Sequence, residues 1–229
     1  AKEVVAGALK YNPNSNEAEI LMSRIMQKMG KSEDAIENLN KLLSRDSKSW
    51  SAYFLLDQVH LRNKQFESAI EAANKSLRIN PNNARVAVCL CQAYMNTAQY
   101  MKAIDILEDV NTNHPDLVNA KMLLAKAYFQ NGDLEDAKAL LSKMAAGRRG
   151  LGPVHFLLGD VFEAQGLVSH ALAEYEAAVL HSEKLTDKYP QLHELVNKQM
   201  KSVDKVAEFK RIMAQIRENA DDEIQLELE

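Results

Sequence analysis

Three places in the chain carry residue types that could do chemistry. The first is the stretch "MAAGRRGLGPVHF", Met144 to Phe156, where three glycines and two arginines precede an apolar, helix-like run. A glycine-rich turn that opens a helix presents bare N–H groups and a positive dipole end, so Gly147 to Gly152 with Arg148 and Arg149 could cradle an anion. The second is the pair Cys89 and Cys91 in "VAVCLCQAY", the only cysteines in the sequence. Residues two apart on a helix point in different directions, so the two thiols neither bridge each other nor share a metal ion easily. They read as small apolar side chains. The third is Asp57 with His60, three apart on a helical stretch, a spacing that suits proton transfer. No serine or cysteine nucleophile is arranged around them, and the expectation is that they hydrogen-bond each other or solvent.

Whether any of these is a site depends on the elements that position it. Glycine and proline are scarce, at 8 and 5 in 229 residues, and the net charge is only −4. The composition is helical, and nothing in the overall charge recruits nucleic acid. No segment has the uninterrupted apolar length needed to cross a bilayer, so direct membrane insertion is not expected. A cytoplasmic location follows as an expectation, since two free thiols suit a reducing compartment.

A period of 34 residues organises the chain. Ala35 in "KSEDAIENL", Ala69 in "FESAIEAAN", Ala103 in "YMKAIDILE", Ala137 in "LEDAKALLS" and Ala171 in "VSHALAEYE" are each 34 residues from the last. Ahead of them at one fixed offset stand Ile20, Phe54, Val88, Met122 and Phe156, and at another Met22, Leu56, Leu90, Leu124 and Leu158. The spacing within each unit is helical, with a break at Gly30, Lys64, Ala98, Gly132 and Gly166. Each unit is therefore a helical hairpin, and the five span 16–49, 50–83, 84–117, 118–151 and 152–185. In this register "AAGRRGLG" occupies the turn that elsewhere reads "SRDSKS" or "RINPNN", so it is a joint between hairpins. Gly147 or Gly150 can cap the ending helix and Pro153 suits the first turn of the next.

The pattern resembles the tetratricopeptide repeat family over residues 1 to 185. The small residue Ala at position 20 of every unit, the Leu or Met at position 7, and Pro81 and Pro115 at position 32 carry the resemblance, with "LRINPNNA" the most typical junction. Asp57 and His60 depart from it, at a small and an aromatic position. The resemblance implies an all-α, right-handed superhelical solenoid of stacked helix-turn-helix hairpins. At its ends, residues 1–15 read as the second helix of a truncated preceding repeat, residues 186–219 as a long amphipathic capping helix, and 220–229 as an acidic, disordered tail. The mid-repeat start suggests a cut from a longer protein.

By the same resemblance, positions 2, 5, 6, 9, 12 and 13 line a concave groove. Here that implies a partner-binding set of Leu21, Arg24, Phe54, Leu55, Gln58, Arg62, Arg85, Cys89, Gln92, Leu123, Lys126 and Leu157, an apolar stripe with a basic flank. Co-chaperones of the family that clamp a chaperone's carboxyl tail carry lysine, asparagine and arginine where this chain has Ile20, Arg24, Leu55, Arg85 and Cys89. The asparagine ladder of the repeats in O-linked N-acetylglucosamine transferases is replaced by Leu21, Leu55, Cys89, Leu123 and Leu157. The implied function is a non-catalytic scaffold or adaptor that binds a protein partner, a peptide or helix with acidic residues, and needs no cofactor and no metal. The alternative is the repeat arm of a larger glycosyl- or sulfotransferase-like enzyme whose catalytic domain lies outside this chain.

Overall fold

A computed structural model describes residues 15–146 and 152–180, together with Val5, Gly7, Asn12, Ala207, Lys210, Arg211 and Ala214. Most of the 1–15 helix, the Gly147–Gly150 turn with Leu151, most of the 186–219 helix and the 220–229 tail therefore lie outside the described residues. Among the described residues there are ten helices and no strand. They are α1 (Asn16–Lys28), α2 (Ser32–Arg45), α3 (Trp50–Arg62), α4 (Phe66–Ile79), α5 (Ala84–Asn96), α6 (Tyr100–Asn113), α7 (Val118–Asn131), α8 (Leu134–Ala145), α9 (Gly152–Ala164) and α10 (Val168–Leu180). The architecture is an all-α solenoid of helical hairpins.

The local signals that start and stop these helices are the ones the repeat supplies. Ser15 caps α1 by accepting a hydrogen bond from the Ala18 N–H at 3.4 Å, and Asn83 caps α5 through Val86 N–H at 3.3 Å. Within every hairpin the chain reverses through a left-handed residue: Gly30 (φ 75°), Lys64 (57°), Ala98 (55°), Gly132 (91°) and Gly166 (75°). A left-handed residue just after a helix lets the next N–H groups close back on the last turn. Thus Gln65 N–H reaches His60 O at 2.9 Å and Gln99 N–H reaches Tyr94 O at 2.9 Å. Lys64 and Ala98 adopt this conformation without glycine's freedom, so the hairpin geometry imposes it on them.

Packing follows the 34-residue register. Ala35, Ala69, Ala103, Ala137 and Ala171 are all fully buried, because the close approach of two helices leaves room for one methyl group and no more. Met22, Leu56, Leu90, Leu124 and Leu158, nearly two turns into each first helix, are buried as well. The helices gather in two compact units, residues 1–123 and 124–229. In the first, one core joins Ala35, Leu39, Leu42 and Leu43 of α2 to Ala52, Leu55, Leu56 and Val59 of α3. A second core joins Phe54, Ala73, Val86 and Leu90, with Trp50, Ile70 and Ile106 packed against it. Polar bonds tie neighbouring elements where the cores thin out. Asn38 donates to Glu19 O at 3.1 Å and to Ser23 Oγ at 2.8 Å, Arg45 pairs with the buried Glu19 carboxylate, and Ser76 Oγ donates to Trp50 O at 2.9 Å.

In the second unit the last hairpin is built around Tyr175 of α10, which is fully buried. Its ring fits only because Gly159 of α9 faces it. A Cβ on that glycine would stand 2.5 Å from Tyr175 Cε1. Phe156 packs on the same ring with centroids 5.4 Å apart. Pro153 sits in the first turn of α9, where its missing N–H costs no hydrogen bond.

Candidate functional site

The residues the sequence singled out for binding fall into two groups once folded. Leu55 is 1 % exposed and belongs to the core between α2 and α3, so it does not line a groove. Leu157 is buried with Val154, Phe156, Leu158 and Val161 of α9, and leaves the groove set for the same reason. Hairpin-on-hairpin packing takes both leucines inside. Phe54 is buried too, but one face of its ring is covered by a surface group, the Arg85 guanidinium, 5.8 Å from the centroid. Leu123 and Lys126 of α7 are half-buried.

Leu21, at 45 % exposure, is the apolar member of the set that does face solvent. Arg24, Arg62, Arg85 and Gln92 are exposed, while Gln58 and Cys89 are half-buried. Four of these meet across α3 and α5: Arg85 lies on Phe54, and Gln58 and Arg85 are both near enough to the Cys89 thiol to act on it electrostatically. The result is a mixed surface of guanidinium, amide and sulfur over an aromatic ring. Burial pushes both the Cys89 and the Cys91 thiol up to about 12, so neither is a thiolate at neutral pH. Cys91 donates weakly to Ala103 O at 3.7 Å and is core, as its spacing implied.

The Asp57–His60 pair does not form. His60 Nδ1 bonds Gln65 Oε1 at 2.7 Å, whereas Asp57 is fully buried and neither of its carboxyl oxygens has a hydrogen-bond partner among the described residues. Burial lifts its pKa from 3.8 to about 8, so the group is a neutral carboxylic acid at pH 7. The reason is positional. Asp57 stands where the other hairpins place Ser23, Cys91, Ala125 and Gly159, all buried against the second helix. The helix turns the carboxyl inward, while His60 falls one turn further along at a half-buried position.

A constellation the groove reading passed over sits in the second unit. Tyr175 OH lies 2.8 Å from Asp160 Oδ1 and 2.9 Å from Glu163 Oε2, and Lys210 Nζ lies 3.3 Å and 2.5 Å from the same two oxygens. The available signal was the departure of the fifth repeat from its fellows, with an acid at both positions 9 and 12. Among the described residues no group of three or more His, Cys, Asp or Glu side chains could hold a metal ion. No helix among them is long and apolar enough to cross a membrane.

This geometry defines a helical-hairpin repeat solenoid, and comparison with known proteins places its fold. The fold is that of tetratricopeptide-repeat proteins. Residues 38–147 match the family of the cytochrome c-type biogenesis protein H tetratricopeptide domain. Among solved structures, YrrB, described as a tetratricopeptide protein with an unusual peptide-binding site, superposes with a TM-score of 0.67 at 17% identity, covering 83% of this chain and 99% of its own. MamA superposes at 0.66 with 20% identity over 73% of this chain and 98% of its own. A thermophilic tetratricopeptide protein of Thermus thermophilus, TTC0263, gives 0.58 at 16% identity over 78% of this chain and 97% of its own. No curated protein matches the sequence.

Proposed function

We propose that the protein is a non-catalytic scaffold that holds an acidic peptide or helix of a protein partner on the first-helix face of its amino-terminal hairpins. The observation that carries this reading is the α3–α5 surface, where Arg85 stacks on Phe54 near Gln58 and Cys89. Arg24 and Arg62 are exposed on α1 and α3, and Leu21 supplies an exposed apolar side chain on α1. Guanidinium groups bind carboxylates in a bidentate fork, and a guanidinium already stacked on a ring has less freedom to lose on doing so. YrrB, with its peptide-binding site, is a precedent within the same fold.

The test is selection from a displayed peptide library. Wild type is expected to enrich acidic sequences, and Arg62→Glu with Arg85→Glu is expected to lose that preference at unchanged helical circular dichroism, because both side chains are exposed. Charges at the rim of an interface act mainly on the association rate and its salt dependence, so those two readouts should fall first. A charge-reversed variant that enriches the same peptides as wild type refutes the assignment of this face.

A further inference from the structure

The knot on the last hairpin has no counterpart in the other four. At the positions equivalent to Asp160 stand Arg24, Gln58, Gln92 and Lys126; at those of Glu163 stand Gln27, Leu61, Met95 and Phe129. Tyr175 replaces Leu39, Ala73, Leu107 and Leu141, which are fully buried without any polar atom to satisfy. At this position the other four hairpins close on an apolar side chain, so the phenol of the fifth, with its two acids, is not a requirement of the fold.

What they do build is a receptor of defined chemistry. Asp160 and Glu163 lie one turn apart on α9, an arrangement in which two carboxylates repel. Tyr175 OH is within hydrogen-bond distance of both, but a phenol has one proton and can donate to one carboxylate at a time. The pair therefore calls for a further donor that also carries positive charge. An ammonium brings three N–H groups and a compact charge. Lys210 supplies it, with Nζ on both carboxylates and 5.8 Å from the centre of the Tyr175 ring. Burial works against the Lys210 charge, yet the bond to Glu163 and the field of Asp160 outweigh it and hold its pKa above the ordinary value. Tyr175 is itself pushed far up, by burial first and by Asp160 next, so it remains a neutral donor.

We propose that Asp160, Glu163 and Tyr175 form a receptor for a lysine ammonium, filled here by the chain's own Lys210, and that a lysine-bearing segment of a protein partner competes with Lys210 for it. Both acids stand on a first helix, the face on which we place partner binding, and the inference rests on that reading to this extent. The difference is the sign of charge: this site takes a cation, whereas the face of α1, α3 and α5 takes an anion. Ala207, Lys210, Arg211 and Ala214 are helical, and all but Lys210 are exposed. Among these four described residues, Lys210 is the one that reaches the two carboxylates.

The experiment supplies the Lys210 segment in trans to the full chain. A synthetic peptide of residues 203–217 is titrated into wild type and into Lys210→Ala, with fluorescence anisotropy as the readout. Lys210→Ala is expected to bind the peptide saturably and at least about tenfold more tightly than wild type, whose own lysine competes. The same peptide with alanine at position 210 should not bind, and adding Asp160→Asn with Glu163→Gln to the Lys210→Ala chain should abolish binding. If Lys210→Ala loses helical circular dichroism, Lys210→Met keeps the aliphatic stem on Tyr175 and takes its place. Equal binding by both chains, or no binding by either, overturns the receptor and leaves the knot as a brace of the last hairpin. Neither result touches Arg62 and Arg85, so failure here is distinct from failure of the acidic-peptide reading.

Discussion

Replacing Asp57 by alanine should stabilise the protein, and by an amount that depends on pH. In the unfolded chain the carboxyl ionises near its ordinary pKa of 3.8, while in the folded chain burial holds it at about 8. The folded state therefore keeps a proton that the unfolded state has released, and stability falls as pH rises from about 4 to about 8, then levels off. Each pH unit in that window costs about 1.4 kcal/mol, so at pH 7, about three units above the unfolded pKa, the burden is ~4 kcal/mol. Alanine removes all of it and gives up only the packing of one carboxyl group. Ala125 occupies the equivalent position of the fourth hairpin fully buried, so the register accepts the change. A net gain of roughly 2–4 kcal/mol at neutral pH is expected, large among single substitutions. The assay is urea denaturation of wild type, Asp57→Ala and Asp57→Asn at several pH values between about 5 and 8, with the unfolding midpoint as readout. Wild type should lose stability relative to Asp57→Ala across the series. Asp57→Asn should lose the pH slope while keeping an unpartnered polar group. Wild-type and alanine profiles that run parallel would show that Asp57 is ionised in the fold and has found a partner, and the account of its burial would be wrong.

Two further perturbations test the packing. Ala98→Gly removes the left-handed strain of a non-glycine residue at φ 55° and should raise stability by ~1 kcal/mol; a thermal melt that falls instead means the Ala98 methyl group is packed usefully. Gly159→Ala drives a methyl group into the Tyr175 ring, at 2.5 Å, and should cost about 1–3 kcal/mol as the ring shifts off Asp160 and Glu163. A melt unchanged from wild type would place slack in the last hairpin that the geometry does not contain.

The period of the sequence determined the class of fold, because a hairpin that must bury one stripe against its neighbours repeats its apolar residues at the same offsets. Ala35, Ala69, Ala103, Ala137 and Ala171 were legible as close-packed positions, and each is fully buried. The break points were legible too: Lys64 and Ala98 reverse the chain in the same left-handed conformation as Gly30, Gly132 and Gly166. The fate of individual groove candidates was not. Leu21 and Leu55 occupy the same position in successive repeats, yet Leu21 is exposed and Leu55 is core, packed with Ala35, Leu39 and Leu42 of α2, and the periodicity is blind to which neighbours cover a given residue. The Asp57–His60 spacing suggested a pair, but a helix places residues three apart on a common face only roughly, and packing turned one inward while His60 turned to Gln65. Nor could local pattern bring Lys210 to Asp160, Glu163 and Tyr175, whose meeting depends on a contact between residues far apart in the chain. Periodicity records which positions each hairpin must bury; charge pairing across long separations leaves no period, and only the tertiary structure decides it.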